Sequence, residues 1–229
     1  MKRAFPILAI LTVILLGYAT YQGLVVAPTD RLQGEVYRII YYHVPSAWTM
    51  FTFFALNFVS SIVYLIRRNR KADAVAVSAA EVGLVFNTVV LVTGPLWARP
   101  VWGIWWTWDI RLTSTLVLWL IYVSYLLLRR FSSGGQMPVL AAALAVFGAL
   151  DMPLVYFSIW FFRTQHPQPV VGGGGSIDPS MLRVWLLNWL AFECFGLLVY
   201  WARYRLEVRR SEVEEMQALE SLLEVRSSR

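Results

Sequence analysis

The sequence predicts an all-α membrane protein of six transmembrane helices, with both termini cytoplasmic and a Trp-rich loop on the outer side. Three observations carry this. Of 229 residues, 58 % are hydrophobic and only 15 % charged, and the mean hydropathy is +0.57, a balance outside soluble composition. Apolar runs of about 20 residues, the length a bilayer core demands, can be laid out near residues 4–26, 44–66, 74–95, 113–128, 139–162 and 182–202. Alternate connections differ in charge: one side holds 14 Lys and Arg, the other 6, and the richer side is cytoplasmic.

The same composition excludes several classes. A chain with 35 aromatic residues is not poor in burial-competent surface, so disorder fails. One cysteine, Cys194, rules out an internal disulfide, a thiolate zinc cluster, an iron–sulfur site and a CxxCH haem-attachment motif. Two histidines, His43 and His166, allow at most one bis-histidine haem. The runs lack the period-2 alternation of barrel strands. The net charge of +6 reflects the cytoplasmic basic bias and not nucleic-acid binding.

The first span follows Met1-Lys2-Arg3, and its apolar stretch exceeds a signal-peptide core, so it is expected to be retained. Ahead of the second, His43 precedes Val44-Pro45. Pro45 fits the first helical turn, which puts His43 just outside the helix, where the N-terminus disfavours a protonated ring. Between the third and fourth spans, Trp97, Trp102, Trp105, Trp106 and Trp108 crowd one outer loop. On a helix, Trp102, Trp105, Trp106 and Asp109 would share one face at i, i+3, i+4 and i+7. That face reads as an indole platform for a flat aromatic ligand or as an interfacial aromatic belt, and Asp109 as a platform carboxylate or a cap of the fourth span. The short fourth span is able to extend back into this run.

The fifth span carries Asp151 midway. Glu81 and Glu193 are the other ionisable groups within spans, and no Lys or Arg inside the spans offers them a partner. Such carboxylates are functional candidates in lipid or protonated acids bonded to a neighbouring helix. His166 follows the fifth span, ahead of the flexible run Gly172 to Gly175. After the sixth span, Val213, Met216, Leu219, Leu222 and Leu223 recur at near-helical spacing. Two regions follow: a membrane domain over 1–202 and a cytoplasmic amphipathic tail over 203–229, either a solvated appendage or a docking helix.

Both histidines and the tryptophan cluster are expected on the same outer side. Every outer cation is arginine, whose fork matches carboxylates bidentately. A planar aromatic ligand that takes two axial nitrogens and carries acidic groups is haem with its propionates.

The stretch Trp-Gly-Ile-Trp-Trp-Thr-Trp-Asp at 102–109, between Gly94-Pro-Leu-Trp and Arg111-Leu-Thr-Ser, resembles the WWD signature of haem-handling proteins in cytochrome c maturation. Arg38-Ile-Ile-Tyr-Tyr-His43-Val-Pro resembles the first histidine motif of the CcmC family, and His166 falls where that family has its second outer histidine. The resemblance covers the chain up to about residue 205. It implies a multi-pass protein of the bacterial inner membrane that holds non-covalent haem b at the periplasmic face. His43 and His166 would be axial ligands, and Trp97, Trp102, Gly103, Trp105, Trp106, Trp108 and Asp109 the WWD surface. Arg38 and Arg111 match charged family positions; Arg99 joins them on its chemistry alone. The implied partners are the haem chaperone CcmE, the ABC-type subunits CcmA and CcmB, the small protein CcmD and membrane lipid.

Two other readings compete. A permease for haem or a small molecule would show broken helices and polar residues converging at midplane. An electron-transfer subunit with two haems is excluded by the histidine count. No general acid or base is evident, so delivery rather than conventional catalysis is expected.

Overall fold

The computed structural model describes residues 4–131, 136–169 and 177–227, and these form helices joined by short connections. Helix α1 spans Ala4–Tyr21 and runs on through a π-helical turn at Gln22–Val26. A 3-10 turn at Glu35–Ile39 leads into α2, Ile40–Arg67. Then follow α3 (Arg70–Trp102), α4 (Ile110–Phe131), α5 (Met137–Ala149), α6 (Asp151–Phe161) and α7 (Pro179–Ser227). Among the described residues six segments, with α5 and α6 counted as one, are long and apolar enough to cross a membrane.

The α2–α3 hairpin is the centre of the bundle, and its sharp turn is written locally. Arg68 takes a left-handed conformation at φ 53° and its N–H closes on the Tyr64 carbonyl at 2.8 Å. Asn69 then caps α3, its side chain accepting from Lys71 N at 2.8 Å. The two helices approach closely because Gly83 has no side chain: a Cβ there would lie 2.5 Å from the Phe54 ring. Phe54 is itself stacked on Tyr122 of α4, centroids 3.6 Å apart. Asn57 ties the same three helices, donating to Ala76 O at 2.8 Å and accepting from Tyr122 Oη at 3.1 Å. Interhelical polar contacts of this kind hold bundles where lipid removes the hydrophobic contrast. Helix α1 lies on α7, where Asn188 donates to Ala19 O at 3.1 Å.

Three expectations from the sequence need correction. First, the tryptophan run does not extend the fourth span; α3 extends forward instead, to Trp102, and Gly103 at φ 78° ends it. Residues 103–109 are not helical, so no single helical face carries Trp102, Trp105, Trp106 and Asp109. Second, the fifth span is interrupted between Ala149 and Asp151. Pro153 supplies no N–H for the Ala149 carbonyl four residues earlier and crowds it. Third, Glu81 has a cationic partner: Arg203, one residue past the expected end of the sixth span, grips it in a fork with Nη2 to Oε1 at 2.7 Å.

Helix α7 continues without a break from the membrane segment to Ser227, so nothing in the backbone marks residue 202. Val213, Met216, Leu219 and Leu223 are exposed along its far end. The Gly172–Gly175 run lies outside the described residues.

Candidate functional site

His43 sits in the first turn of α2, not ahead of it, because the 3-10 turn at Glu35–Ile39 brings the chain into helix before Pro45. His166 lies in the non-helical segment after α6. Four spans separate the two along the chain, yet their ring centroids are 6.4 Å apart with planes inclined at 32°. Gly94 of α3 lies against His43: a Cβ there would stand 3.4 Å from its Cε1, in contact with the ring.

The hydrogen bonds fix the tautomer of both rings. His43 Nδ1 is 2.8 Å from Thr93 Oγ1, and that hydroxyl spends its own proton on the Val89 carbonyl at 2.7 Å. Thr93 therefore accepts, and Nδ1 of His43 carries the proton. His166 Nδ1 lies 2.9 Å from the Pro167 carbonyl, which has nothing to donate. Each imidazole keeps a bare Nε2, the state in which histidine ligates a metal. Burial, reinforced by the nearby Arg111 guanidinium and by His43, pushes the His166 pKa down to about 3, so the ring is neutral at ordinary pH. Among the described residues no group of three or more His, Cys, Asp or Glu side chains gathers to hold a metal ion.

Two cavities meet at the pair. One is lined by Tyr37, Trp48, Trp97, Tyr156 and Trp185, the other by Trp97, Trp102, Trp106 and Leu112; His43, Gly94, Arg111 and His166 border both. Arg111, in the first turn of α4, gives one donor to Tyr156 O at 3.4 Å. Trp48 meets Trp185 edge-on at 4.7 Å, and Trp97 meets Trp102 in the same way at 4.9 Å. Trp97 is also oriented by an Nε1–H bond of 2.8 Å to Gln33 Oε1. The surroundings of the imidazole pair are thus largely aromatic, with one buried-side cation.

Comparison with known proteins then bears on the whole chain. A family profile described as CcmC, heme exporter protein C, matches residues 1–219. The Heme exporter protein C of Bradyrhizobium diazoefficiens is 36 % identical over 222 residues, covering 96 % of this chain and 84 % of the relative. That of Escherichia coli K12 is 37 % identical over 196 residues, or 85 % and 77 % of the two chains. A putative cytochrome c biosynthesis ccmC-like mitochondrial protein of Marchantia polymorpha is 37 % identical over 169 residues, or 73 % and 72 %. The chain belongs to the heme exporter protein C family.

The remaining residues singled out in the sequence are distributed unevenly about this centre. Trp97, Trp102, Trp106 and Arg111 border the cavities. Trp105 and Trp108 point outward, 57 % and 77 % exposed. Arg38 is occupied elsewhere, donating to Gly23 O at 3.0 Å and Ala27 O at 2.9 Å and pairing with Glu35. Arg99 bonds the Gly103 carbonyl, and Gly103 is the helix terminator. Asp109 caps α4, its Oδ1 accepting from Leu112 N at 3.0 Å, while Oδ2 takes the Thr164 hydroxyl at 2.8 Å and Gln165 N at 3.4 Å. Burial of the carboxyl works to raise its pKa, but these donors together outweigh it and hold the pKa below the usual value.

Sequence reasoning missed Trp48, Tyr156 and Trp185, which lie within spans and look like ordinary apolar filling, and it missed Tyr37 in the turn ahead of α2, Thr93 and Thr164. Nothing local to Thr93 signals that its partner, His43, lies 50 positions earlier in the chain.

Proposed function

We propose that this chain takes haem as its cargo at the histidine end of the bundle and delivers it in cytochrome c maturation. His43 and His166 are the axial ligands of the iron. Trp97, Trp102 and Trp106 line the macrocycle, and Arg111 meets a propionate. The observation that carries this is the close pair of imidazoles, each with Nδ1 engaged and Nε2 bare. A metal–nitrogen bond of about 2 Å and about 1 Å from nitrogen to ring centre, on each side, require centroids roughly 6 Å apart, and the rings stand at 6.4 Å. Two nitrogen donors suit an iron that brings four in-plane ligands of its own. Aromatic walls on both sides of the pair suit a large π surface.

The bound haem is haem b, held without a covalent bond. Its receiver is the periplasmic chaperone CcmE, with CcmA, CcmB and CcmD as companions, and the membrane is the bacterial inner membrane with both termini in the cytoplasm. Family membership supports this assignment, as does the excess of Lys and Arg on the side of the termini. With both axial positions taken, the receiver must approach the porphyrin edge; the exposed Trp105 and Trp108 offer it a surface there.

A through-bundle permease has one feature in its favour, the interruption at Asp151. Two of its three carboxylates, however, are committed separately, Glu81 to Arg203, and Glu193 to Thr52 at 2.8 Å and Trp189 at 3.1 Å. The deciding experiment is an absorption spectrum of the purified protein with haemin. A low-spin, six-coordinate ferric spectrum is expected, lost in His43→Ala and in His166→Ala while both variants still insert in the membrane. Unchanged spectra in both would remove the ligand assignment.

A further inference from the structure

The aspartate that ends the WWD stretch makes a set of hydrogen bonds that leads to His166. Asp109 has two carboxylate oxygens with separate tasks. Oδ1 accepts from Leu112 N at 3.0 Å, which is an ordinary helix cap. Oδ2 faces the other way and accepts the Thr164 hydroxyl at 2.8 Å, the Thr107 hydroxyl at 3.2 Å and Gln165 N at 3.4 Å. The Thr164 oxygen, its proton given to Asp109, then accepts from His166 N at 3.1 Å. The His166 ring closes the series by donating from Nδ1 to Pro167 O. A charged acceptor makes the strongest of these bonds, and it is anchored on α4, a rigid element, whereas residues 163–169 have no regular structure of their own.

We propose that Asp109 is a positioning residue for His166, acting through the Thr164 hydroxyl, and that Thr164 is a further member of the site. The cap alone needs one oxygen and is met equally by serine; the second oxygen is what fixes the non-helical segment that sets the His166 ring 6.4 Å from that of His43. This rests on the axial-ligand reading above for its consequence on haem, but not for its consequence on the loop.

The test uses the full-length protein in detergent with haemin as the probe. Asp109→Ser keeps a cap and drops the tether; Thr164→Val keeps the shape and drops the hydroxyl; Thr164→Ser restores it. In haem-free protein, hydrogen exchange over 163–169 should quicken in Asp109→Ser and Thr164→Val and stay at the wild-type rate in Thr164→Ser. With haemin, the first two should bind about 10-fold or more weakly and move from low-spin toward the five-coordinate spectrum of His166→Ala, and added imidazole should restore the low-spin form. The double variant should be no worse than either single one. Wild-type exchange rates in Thr164→Val, or weaker haemin binding by Asp109→Ser with the low-spin spectrum intact, would overturn the proposal, the second by pointing to direct contact with haem. Faster exchange with no change in haemin spectrum, in these variants and in His166→Ala alike, would leave the tether standing and bring down the ligand reading instead.

Discussion

At the scale of single residues, the two histidines were legible because the chain has no others and both fall on the side of the tryptophan cluster. Their protonation was not, since it depends on acceptors remote in sequence. Thr93 is the sharper case. It holds His43 by Nδ1, and replacing it with valine leaves a ring free to turn and to carry its proton on either nitrogen. Thr93→Val is expected to weaken haemin binding by about 10-fold, read from a spectrophotometric titration, with the inserted amount of protein unchanged. The depressed His166 pKa has a separate consequence. In an unfolded chain the imidazole titrates near 6.5 and in the folded site at about 3, so between those values the unfolded state binds the extra proton. Stability contributed by the neutral ring is fully present above about pH 6.5 and is lost as pH falls toward 3, at about 1.4 kcal/mol per unit. Haemin affinity of the folded protein is therefore expected to stay level from pH 8 to pH 5, whereas an exposed imidazole would lose strength below its ordinary pKa; a pH series of the same titration checks it.

At the scale of elements, six apolar runs gave the number and order of the spans, and their ends were the weak point. Residues 94–109 show why. The third span was expected to end near residue 95, yet α3 passes through Pro95 and Pro100 and stops only where Gly103 takes a left-handed turn. Near a helix C-terminus the carbonyls left free by a proline are few, and packing against the neighbours outweighs local preference. The tryptophans consequently divide between helix and loop instead of sharing a face. Close helix contacts were equally invisible, because a glycine in an apolar run does not announce its partner. Gly83 is pressed against Phe54, and Phe54 is fixed by its stack on Tyr122, so the ring has nowhere to retreat. Gly83→Ala is expected to separate α2 from α3 and cost about 1–3 kcal/mol, seen as a lower melting temperature in detergent.

At the scale of the whole molecule, the two ends of the bundle do different work. The histidine end gathers neutral imidazoles, aromatic rings and Arg111; the opposite end is laced by ion pairs that hold α3, α4 and α7 together. Asp73 of α3 and Arg129 of α4 form a two-bond fork with both distances 2.7 Å, the side chains 18 % and 10 % exposed. Arg203 of α7 grips Glu81 of α3, and Arg70 reaches Glu215 at 3.0 Å, so the long seventh helix is fastened to α3 well beyond the apolar run. None of these pairings was readable from the sequence, where each partner lies more than 50 residues from the other. The Asp73–Arg129 fork is the most enclosed of them, and removing one member strands the other charge among helices. Asp73→Ala is thus expected to cost about 3 kcal/mol or more and to lower the melting temperature, while the haemin spectrum and affinity of the protein that remains folded stay those of the wild type. His166→Ala should do the reverse, changing the spectrum and leaving the melting of haem-free protein nearly untouched. Measuring both quantities in both variants tests whether the ends are independent: a haemin affinity that drops with Asp73→Ala would mean that the ion-paired end sets the spacing of His43 and His166 through α3 and α4.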